Sequence, residues 1–417
     1  MSKEKFTFID LFAGCGGLSE GFLASNSFVG LAHVEWELPM VNTLRKRLVT
    51  RWKHSEEDAK KQVIHFDIQK TNELINGGWS EETSKLYEKN NHKSIINKGL
   101  KGLVGKKKVD IIIGGPPCQA YSIAGRAQDK NSMKEDYRNY LFESFVKVVD
   151  EFQPKIFVFE NVPGMLSAEP GGVKVTDRIY KAFDEIGYEI TVSNKLKDRV
   201  YVADDFEVPQ KRRRLIIVGT KKEYNFNLEE IYESIDAEKS VDKKTVKDAL
   251  FNLPKILPLK ESKKIKGKNV SHEVIKSVEQ INQHEPRHSN ERDVKVFKKW
   301  VEEDMNTKSL KEKIEFYNNL HNKNSKHAKY RNLEWNKSSP TIVAHLYKDG
   351  LMFIHPDAKQ ARTITIREAG LLQSFPLDYE FVGSKGVCYK MIGNAVPPKM
   401  AEGIALGIAK YLKNLKI

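Results

Sequence analysis

The sequence predicts an α/β fold: a doubly wound, mostly parallel sheet joined to a second, smaller and irregular domain. Three observations carry this reading. Over the first 220 residues, short and nearly continuous apolar runs alternate with amphipathic stretches, the pattern of strands buried on both faces by helices. The alternation is lost from about residue 224 to 340 and regained over 361–417. Positive charge gathers in the irregular part: residues 243–340 hold 23 Lys/Arg and 13 Asp/Glu, which is +10 of the chain's +14.

Taken in order, residues 6–12 read as a strand and 16–25 as the helix after it. Residues 28–35 form a second strand, followed by a helical stretch to Trp52. Strands are expected at 63–67, 109–114, 155–160 and 215–219, with helices at 140–152 and 173–186 between them. A polar, basic segment, 77–108, interrupts the pattern as an insertion. In the irregular region, helix-like patches stand at 274–283, 294–305 and 309–320. The chain closes in an amphipathic helix over 398–415. The expected division is a catalytic domain over 1–223, a recognition domain over 224–361, a hinge and supporting segment over 362–392, and a segment over 393–417 that returns to the catalytic domain.

Composition narrows the class. Of 417 residues, 40% are hydrophobic, enough for a sizeable core and too many for global disorder. The longest apolar runs are strand-sized, well short of the ~20 residues that cross a bilayer, so no membrane span is expected. No apolar signal core precedes Asp10. Three cysteines, Cys15, Cys118 and Cys388, make no paired framework, which points to a reducing, cytoplasmic location. A basic segment in an otherwise balanced chain suits a polyanion.

One group of residues suggests a cofactor pocket. The first strand runs into Gly14-x-Gly16-Gly17 and a helix, where glycines let a ligand approach the backbone and the helix N-terminus. Glu35 ends the second strand, where an acidic side chain can accept hydrogen bonds from ribose hydroxyls. Trp36 beside it can stack on a base, and Asp67 ends the third strand in the corresponding place. Three ligand-type residues at successive strand ends point to an adenosine-containing cofactor at the carboxyl edge of the sheet.

A second group suggests a nucleophile. The strand at 109–114 leads into Gly115-Pro116-Pro117-Cys118-Gln119, where two prolines stiffen the chain just before a cysteine. A cysteine held in such a loop above a cofactor edge reads as a thiolate nucleophile. Cys15 and Cys388 lack this setting and read as structural. The next strand ends in Glu160-Asn161-Val162, a carboxyl group near Cys118. The run Gln210-Lys211-Arg212-Arg213-Arg214 precedes a strand whose alternation turns Arg212 and Arg214 to one face and Arg213 to the other.

These motifs, in this order, closely resemble the cytosine carbon-5 DNA methyltransferases of bacterial restriction-modification type. Residues 8–17 resemble the family's cofactor motif and 115–119 its catalytic loop. Residues 160–162 and 210–214 resemble two more motifs, and Arg367-Glu368 through Phe375-Pro376, with 393–397, the last two. The resemblance covers about 6–220 and 340–417. The intervening stretch matches no motif, as in the family's variable target-recognition region.

The resemblance implies a Rossmann-like, S-adenosylmethionine-dependent methyltransferase fold acting on double-stranded DNA. Cys118 would add to carbon 6 of a flipped-out cytosine. A protonated Glu160, its pKa raised by burial, would contact ring nitrogen 3, and Arg214, with Arg212, would lie near the carbonyl at position 2. Gly14, Gly16 and Gly17 would approach the methionine part of the cofactor. Glu35 would take the ribose, Trp36 and Phe12 would flank the adenine, and Asp67 its amino group. Pro117, Leu141 and Asn394 complete the implied cofactor contacts, and no metal is called for. Gln119, Ser122, Arg138 and Thr341 match DNA-contacting positions. A partner restriction endonuclease and a monomeric enzyme are also implied. The nearest alternative is a tRNA cytosine methyltransferase of the same family, against which the large basic segment favours DNA. A methylation-dead DNA-binding protein and a nicotinamide-dependent oxidoreductase are the others. The intact Cys118, Glu160 and Arg214 oppose the first, and the missing dinucleotide fingerprint opposes the second.

Overall fold

The computed structural model describes residues 5–117, 141–275 and 281–415. It divides into two compact units. The first comprises Met1–Glu207, Arg212–Asp242 and Ala395–Ile417, and the second Val208–Lys211 and Lys243–Asn394. Residues 224–242 therefore pack with the first unit and 362–394 with the second.

The first unit is built on an eight-stranded sheet. Its strands are β1 (Phe6–Leu11), β2 (Phe28–Glu35), β3 (Val63–His65), β4 (Ile111–Gly114), β5 (Ile156–Asn161), β6 (Tyr188–Ile190) and β7 (Val200–Val202). After β8 (Gln210–Lys211), which belongs to the second unit, β9 (Arg213–Lys221) completes it. The order is β3-β2-β1-β4-β5-β9-β6, with β7 also paired to β9. Neighbours from β3 through β5 are parallel, and β9 runs antiparallel to β5, β6 and β7. Strands such as β4 (IIIG) and β5 (IFVFEN) are buried along their whole length, as parallel strands covered on both faces must be. Phe157 stacks on Phe183 of helix Val175–Glu185 at 4.0 Å between ring centroids, and Phe145 of helix Leu141–Phe152 meets both edge-on. The third strand stops at His65, so Asp67 lies two residues beyond its end.

The segment at 77–108 is not a plain loop. Helices Glu81–Tyr87 and Lys93–Val104 anchor it through buried Trp79, Ile95, Leu100 and Val104. At the other end of the chain, helix Pro398–Asn414 packs against helix Gly17–Ala24. A side chain on Gly21 would stand 2.4 Å from the Ala401 Cβ and 2.5 Å from the Pro398 carbonyl, so the close crossing requires glycine. Among the described residues no helix is long and apolar enough to cross a membrane.

In the second unit, β8 pairs in parallel with β12 (Ser339–Pro340), and β10 (Ile256–Ile265) forms an antiparallel hairpin with β11 (Lys268–Val274). Its two-residue turn, Lys266-Gly267, has both φ angles positive (46° and 77°), which matches the right-handed twist of the strands. Helices Glu291–Glu302 and Leu310–His321 stand where helix-like patches were expected. Trp300, Phe297 and Tyr330 form the small core beside them. Of the patch expected at 274–283, residues 276–280 lie outside the described residues; at its ends the expectation is corrected, since Val274 closes β11 and Asn282 and Gln283 lie in a turn. Arg362 and Glu368 form a buried bidentate pair at 2.6 and 2.7 Å, inside a capping box made by Thr365 and Glu368.

Candidate active site

The site in the first unit lies where the strand order turns back. β1 has β2 on one side and β4 on the other, with Leu11 paired to Val34 and to Gly114. The chain leaves β1 in one direction and returns to β4 in the other, and a crevice at such a switch point is where open α/β sheets bind ligands.

The turn after β1 forms the first wall. Phe12, Gly14 and Gly16 all have positive φ (59°, 56° and 90°). A Cβ on Gly17 would stand 2.1 Å from the Val396 carbonyl oxygen, so the turn and the returning C-terminal segment touch backbone to backbone. Beneath the turn, Ser19 donates to Asp10 at 2.5 Å and lies 2.7 Å from His33 Nδ1, which ties the following helix to β1 and β2. Glu35 closes the turn. Its Oε2 accepts from Gly14 N–H at 2.8 Å, and its Oε1 from Trp36 and Glu37 N–H at 2.9 and 2.8 Å. Burial pushes the Glu35 carboxyl up to about 7 despite those three bonds, and burial raises neighbouring Asp10 to about 7 as well. Trp36 is 53% exposed at the rim.

The second wall is the end of β4. A Cβ on Gly115 would stand 2.5 Å from Glu160 Oε2, so glycine at this position lets the carboxylate sit against the chain leading to Cys118. Asn161 Nδ2 donates to the Pro116 carbonyl at 3.4 Å and steadies the same stretch. Glu160 Oε1 pairs with Arg214 Nε at 2.5 Å across β5 and β9. Arg212 is buried and Arg213 exposed, in the alternation expected of the strand. Burial, reinforced by the neighbouring Arg214 cation, holds the Arg212 guanidinium well below its ordinary pKa.

The described structure thus brings Phe12, Gly14, Gly16, Gly17, Glu35, Trp36, Glu160, Arg212, Arg214 and Pro117 to one unit, with Asp67 just past β3. Leu141 heads helix Leu141–Phe152 and is buried in the core cluster. Asn394 ends helix Lys385–Asn394 in the second unit, exposed. Thr341, also there, donates to the Lys211 carbonyl at 2.7 Å. Cys118, Gln119, Ser122 and Arg138 lie outside the described residues. Cys15 and Cys388 are buried. Sequence reasoning missed Gly115 and Asn161 as supports for this wall. Their signal was present, since each adjoins a residue already singled out.

A family model described as C-5 cytosine-specific DNA methylase matches residues 6–79 and 70–410. The chain is 33% identical over 450 residues to the type II methyltransferase M.Bpa9945I of Bacillus paralicheniformis, covering 96% of this chain and 98% of that one. It is 30% identical over 411 residues to the type II methyltransferase M1.HphI of Haemophilus parahaemolyticus, covering 98% and 88%. Among solved structures, a protein provisionally described as a DNA modification methyltransferase encoded within an Escherichia coli prophage superposes with a TM-score of 0.60. It is 26% identical and covers 98% of this chain and all of that one.

Proposed function

Because this chain belongs to the C-5 cytosine-specific DNA methylase family, we propose that it methylates carbon 5 of a cytosine flipped out of duplex DNA, using S-adenosylmethionine and a covalent adduct with Cys118. Its activity is that of a DNA (cytosine-5-)-methyltransferase of type II systems. The observation that carries the finer reading is the Glu160–Arg214 pair, set against Gly115 three residues before Cys118 and on the sheet edge shared with the Gly14–Gly17 turn.

The first wall fits the cofactor. Left-handed backbone at Gly14 and Gly16, with no side chain at either or at Gly17, leaves backbone bare at three positions of the turn. The Glu35 carboxylate uses three acceptor sites on backbone N–H groups and keeps capacity for a ribose hydroxyl. S-adenosylmethionine, when bound, supplies an electrophilic methyl group. Trp36 and Phe12 would flank its adenine, and Asp67 would accept from the adenine amino group.

Carbon 5 of cytosine is a weak nucleophile. Addition of the Cys118 thiolate forms an S–C6 bond and breaks the C5–C6 double bond, which leaves enamine character at C5. Electron density moving toward N3 and O2 is met by a proton from Glu160 and by the Arg214 cation. C5 then takes the methyl group while the broken bond's electron pair stays with the donor's sulfur, and N3 returns its proton to Glu160. Loss of the C5 proton to solvent re-forms the C5–C6 double bond as the thiolate departs, so Cys118 and Glu160 end as they began.

The second unit supplies recognition in this reading. Residues 260–269 of the β10–β11 hairpin are exposed throughout, and five of them are lysines. A ribbon with neither face buried gains little stability from its own unit. A two-stranded ribbon of this kind fits a DNA major groove about 12 Å wide, with lysines toward phosphates. The type II relatives support pairing with a cognate restriction endonuclease.

Duplex DNA with 5-fluorocytosine at the target tests the chemistry, because fluorine cannot leave as a proton does. A denaturation-resistant adduct is expected with this chain and none with Cys118→Ser. Near wild-type methylation by Cys118→Ser, read by bisulfite sequencing, would overturn the assignment.

A further inference from the structure

One imidazole joins the 77–108 insertion to the cofactor side of the sheet. β3 is the outermost strand there, and Asn91 closes its free edge. The Asn91 side chain donates to the His65 carbonyl at 2.8 Å and accepts from the His65 N–H at 3.0 Å, as a neighbouring strand would. Arg45 ties the same two segments, donating to the carbonyls of Val63 at 2.6 Å and Asn90 at 2.8 Å.

The His65 ring then points back toward the site. Nε2 lies 2.9 Å from the Trp36 carbonyl, and Nδ1 lies 3.3 Å from Asn90 Nδ2. A carbonyl only accepts, so Nε2 carries the hydrogen and Nδ1 is left to accept from the Asn90 amide. Burial lowers the imidazole pKa against the opposing pull of the Trp36 carbonyl, and the Arg45 cation acts with burial, which suits a neutral ring. Tyr87 of the insertion packs edge-on to it at 5.2 Å. The Trp36 peptide is thereby held at both ends: its N–H by Glu35 and its carbonyl by His65.

We propose that the insertion positions the nucleoside end of the cofactor site, with His65 as the positioning residue: Asn90 orients the ring, and the ring holds the Trp36 peptide beside Glu35. This rests on the reading of Glu35 and Trp36 as the residues that take ribose and adenine. In that arrangement the insertion acts on the nucleoside end through His65 and the Trp36 backbone, so a change at Asn90 is felt at the adenine.

The test uses the full chain, with S-adenosylhomocysteine binding by calorimetry and steady-state kinetics on duplex DNA. His65→Ala should raise the dissociation constant and the KM for S-adenosylmethionine about 3- to 10-fold, the worth of one hydrogen bond, with kcat nearly unchanged. His65→Gln, whose amide can still donate to the Trp36 carbonyl, should recover most of that affinity. Asn90→Ala should give a smaller shift in the same direction. Unchanged affinity in His65→Ala would overturn the proposal, as would a His65→Gln protein no better than His65→Ala. Trp36→Ala separates the two levels. If it leaves cofactor affinity intact, the underlying reading of the site fails. If it weakens binding while His65→Ala does not, only the positioning role fails.

Discussion

Glu160 and Arg214 meet at 2.5 Å, Oε1 to Nε, across two antiparallel strands that reach this end of the sheet from opposite directions. The strand register makes the encounter. Asn161 stands opposite Leu215, and Arg214 lies one residue beyond the last rung, its backbone paired instead with Tyr201 of β7. Arg214 Nη1 is also anchored on the Arg213 carbonyl at 2.8 Å. The Glu160 side chain and the Arg214 guanidinium are therefore preset before a base arrives, the condition under which positioned polar groups lower a barrier most.

Removing the acid while keeping its shape tests this directly. Glu160→Gln should lower kcat by about 100-fold or more, the usual worth of a positioned proton donor, and leave cofactor affinity within a factor of about two. Single-turnover methylation with calorimetric binding reads both numbers. Weak cofactor binding with undiminished chemistry would place Glu160 in the wrong role.

Gly115→Ala should act through the same carboxylate. The new Cβ would lie 2.5 Å from Glu160 Oε2, below any real contact, so the carboxylate or the strand end must move. Turnover should fall by about tenfold or more, since displacements of an ångström at a reacting group carry costs of that order. Cofactor affinity should hold. A Gly115→Ala enzyme of normal kcat would show that the close approach is not required.

Glu35 gives a pH dependence with a definite sign. Its carboxyl is raised from 4.5 to about 7 by burial, so the folded protein keeps a proton that the unfolded chain has released between those values. The free protein therefore loses stability from this group as pH rises from about 4.5 to 7, with no further loss above. Cofactor binding runs the other way, because ribose hydroxyls donate to the ionised carboxylate, and affinity should rise as pH passes through about 7. Asp10, also raised to about 7, titrates in the same window, so Asp10→Asn is the control. Glu35→Gln should abolish the rise, while a rise that survives in Glu35→Gln but not in Asp10→Asn would reassign it.

Much of this was legible in the chain. β1, β2 and β5 are mostly apolar and strand-sized, which leaves little freedom of interpretation, and Glu35 and Glu160 stand at the carboxyl ends of β2 and β5. The alternation of Arg212, Arg213 and Arg214 was equally readable, because side chains on a strand must take turns. Pairings between distant elements were not. The contact of Gly17 with Val396 depends on how a helix almost 400 residues later returns, and no local pattern encodes it. The helices of 77–108 escaped because Trp79, Ile95 and Leu100 are spread through a polar, lysine-rich segment. Their hydrophobic spacing marks them only once the β3 edge they cover is known. The β10–β11 hairpin escaped for the opposite reason. It has almost no buried face to leave a period-2 signature, although Lys266-Gly267 was a readable turn signal.

That unburied hairpin yields the most direct test of the recognition unit. Lys263 and Lys268 lie on one face of the ribbon with Ile265, Lys264 lies on the other beside Asn269, and Lys266 stands in the turn. All four lysines are exposed, so replacing them with alanine should leave the melting temperature nearly unchanged. If they grip phosphates, binding releases the counterions those phosphates held. The slope of log binding constant against log salt for duplex DNA should then become shallower by about 0.9 for each phosphate no longer neutralised. Affinity at low salt should fall accordingly, while S-adenosylhomocysteine binding by the first unit stays as it was. Lysines that merely solvate an idle surface predict otherwise: the same slope and the same affinity in the quadruple variant. Fluorescence anisotropy on a duplex carrying the target, repeated across a salt series, separates the two, and an unchanged slope would move the DNA contact away from this hairpin.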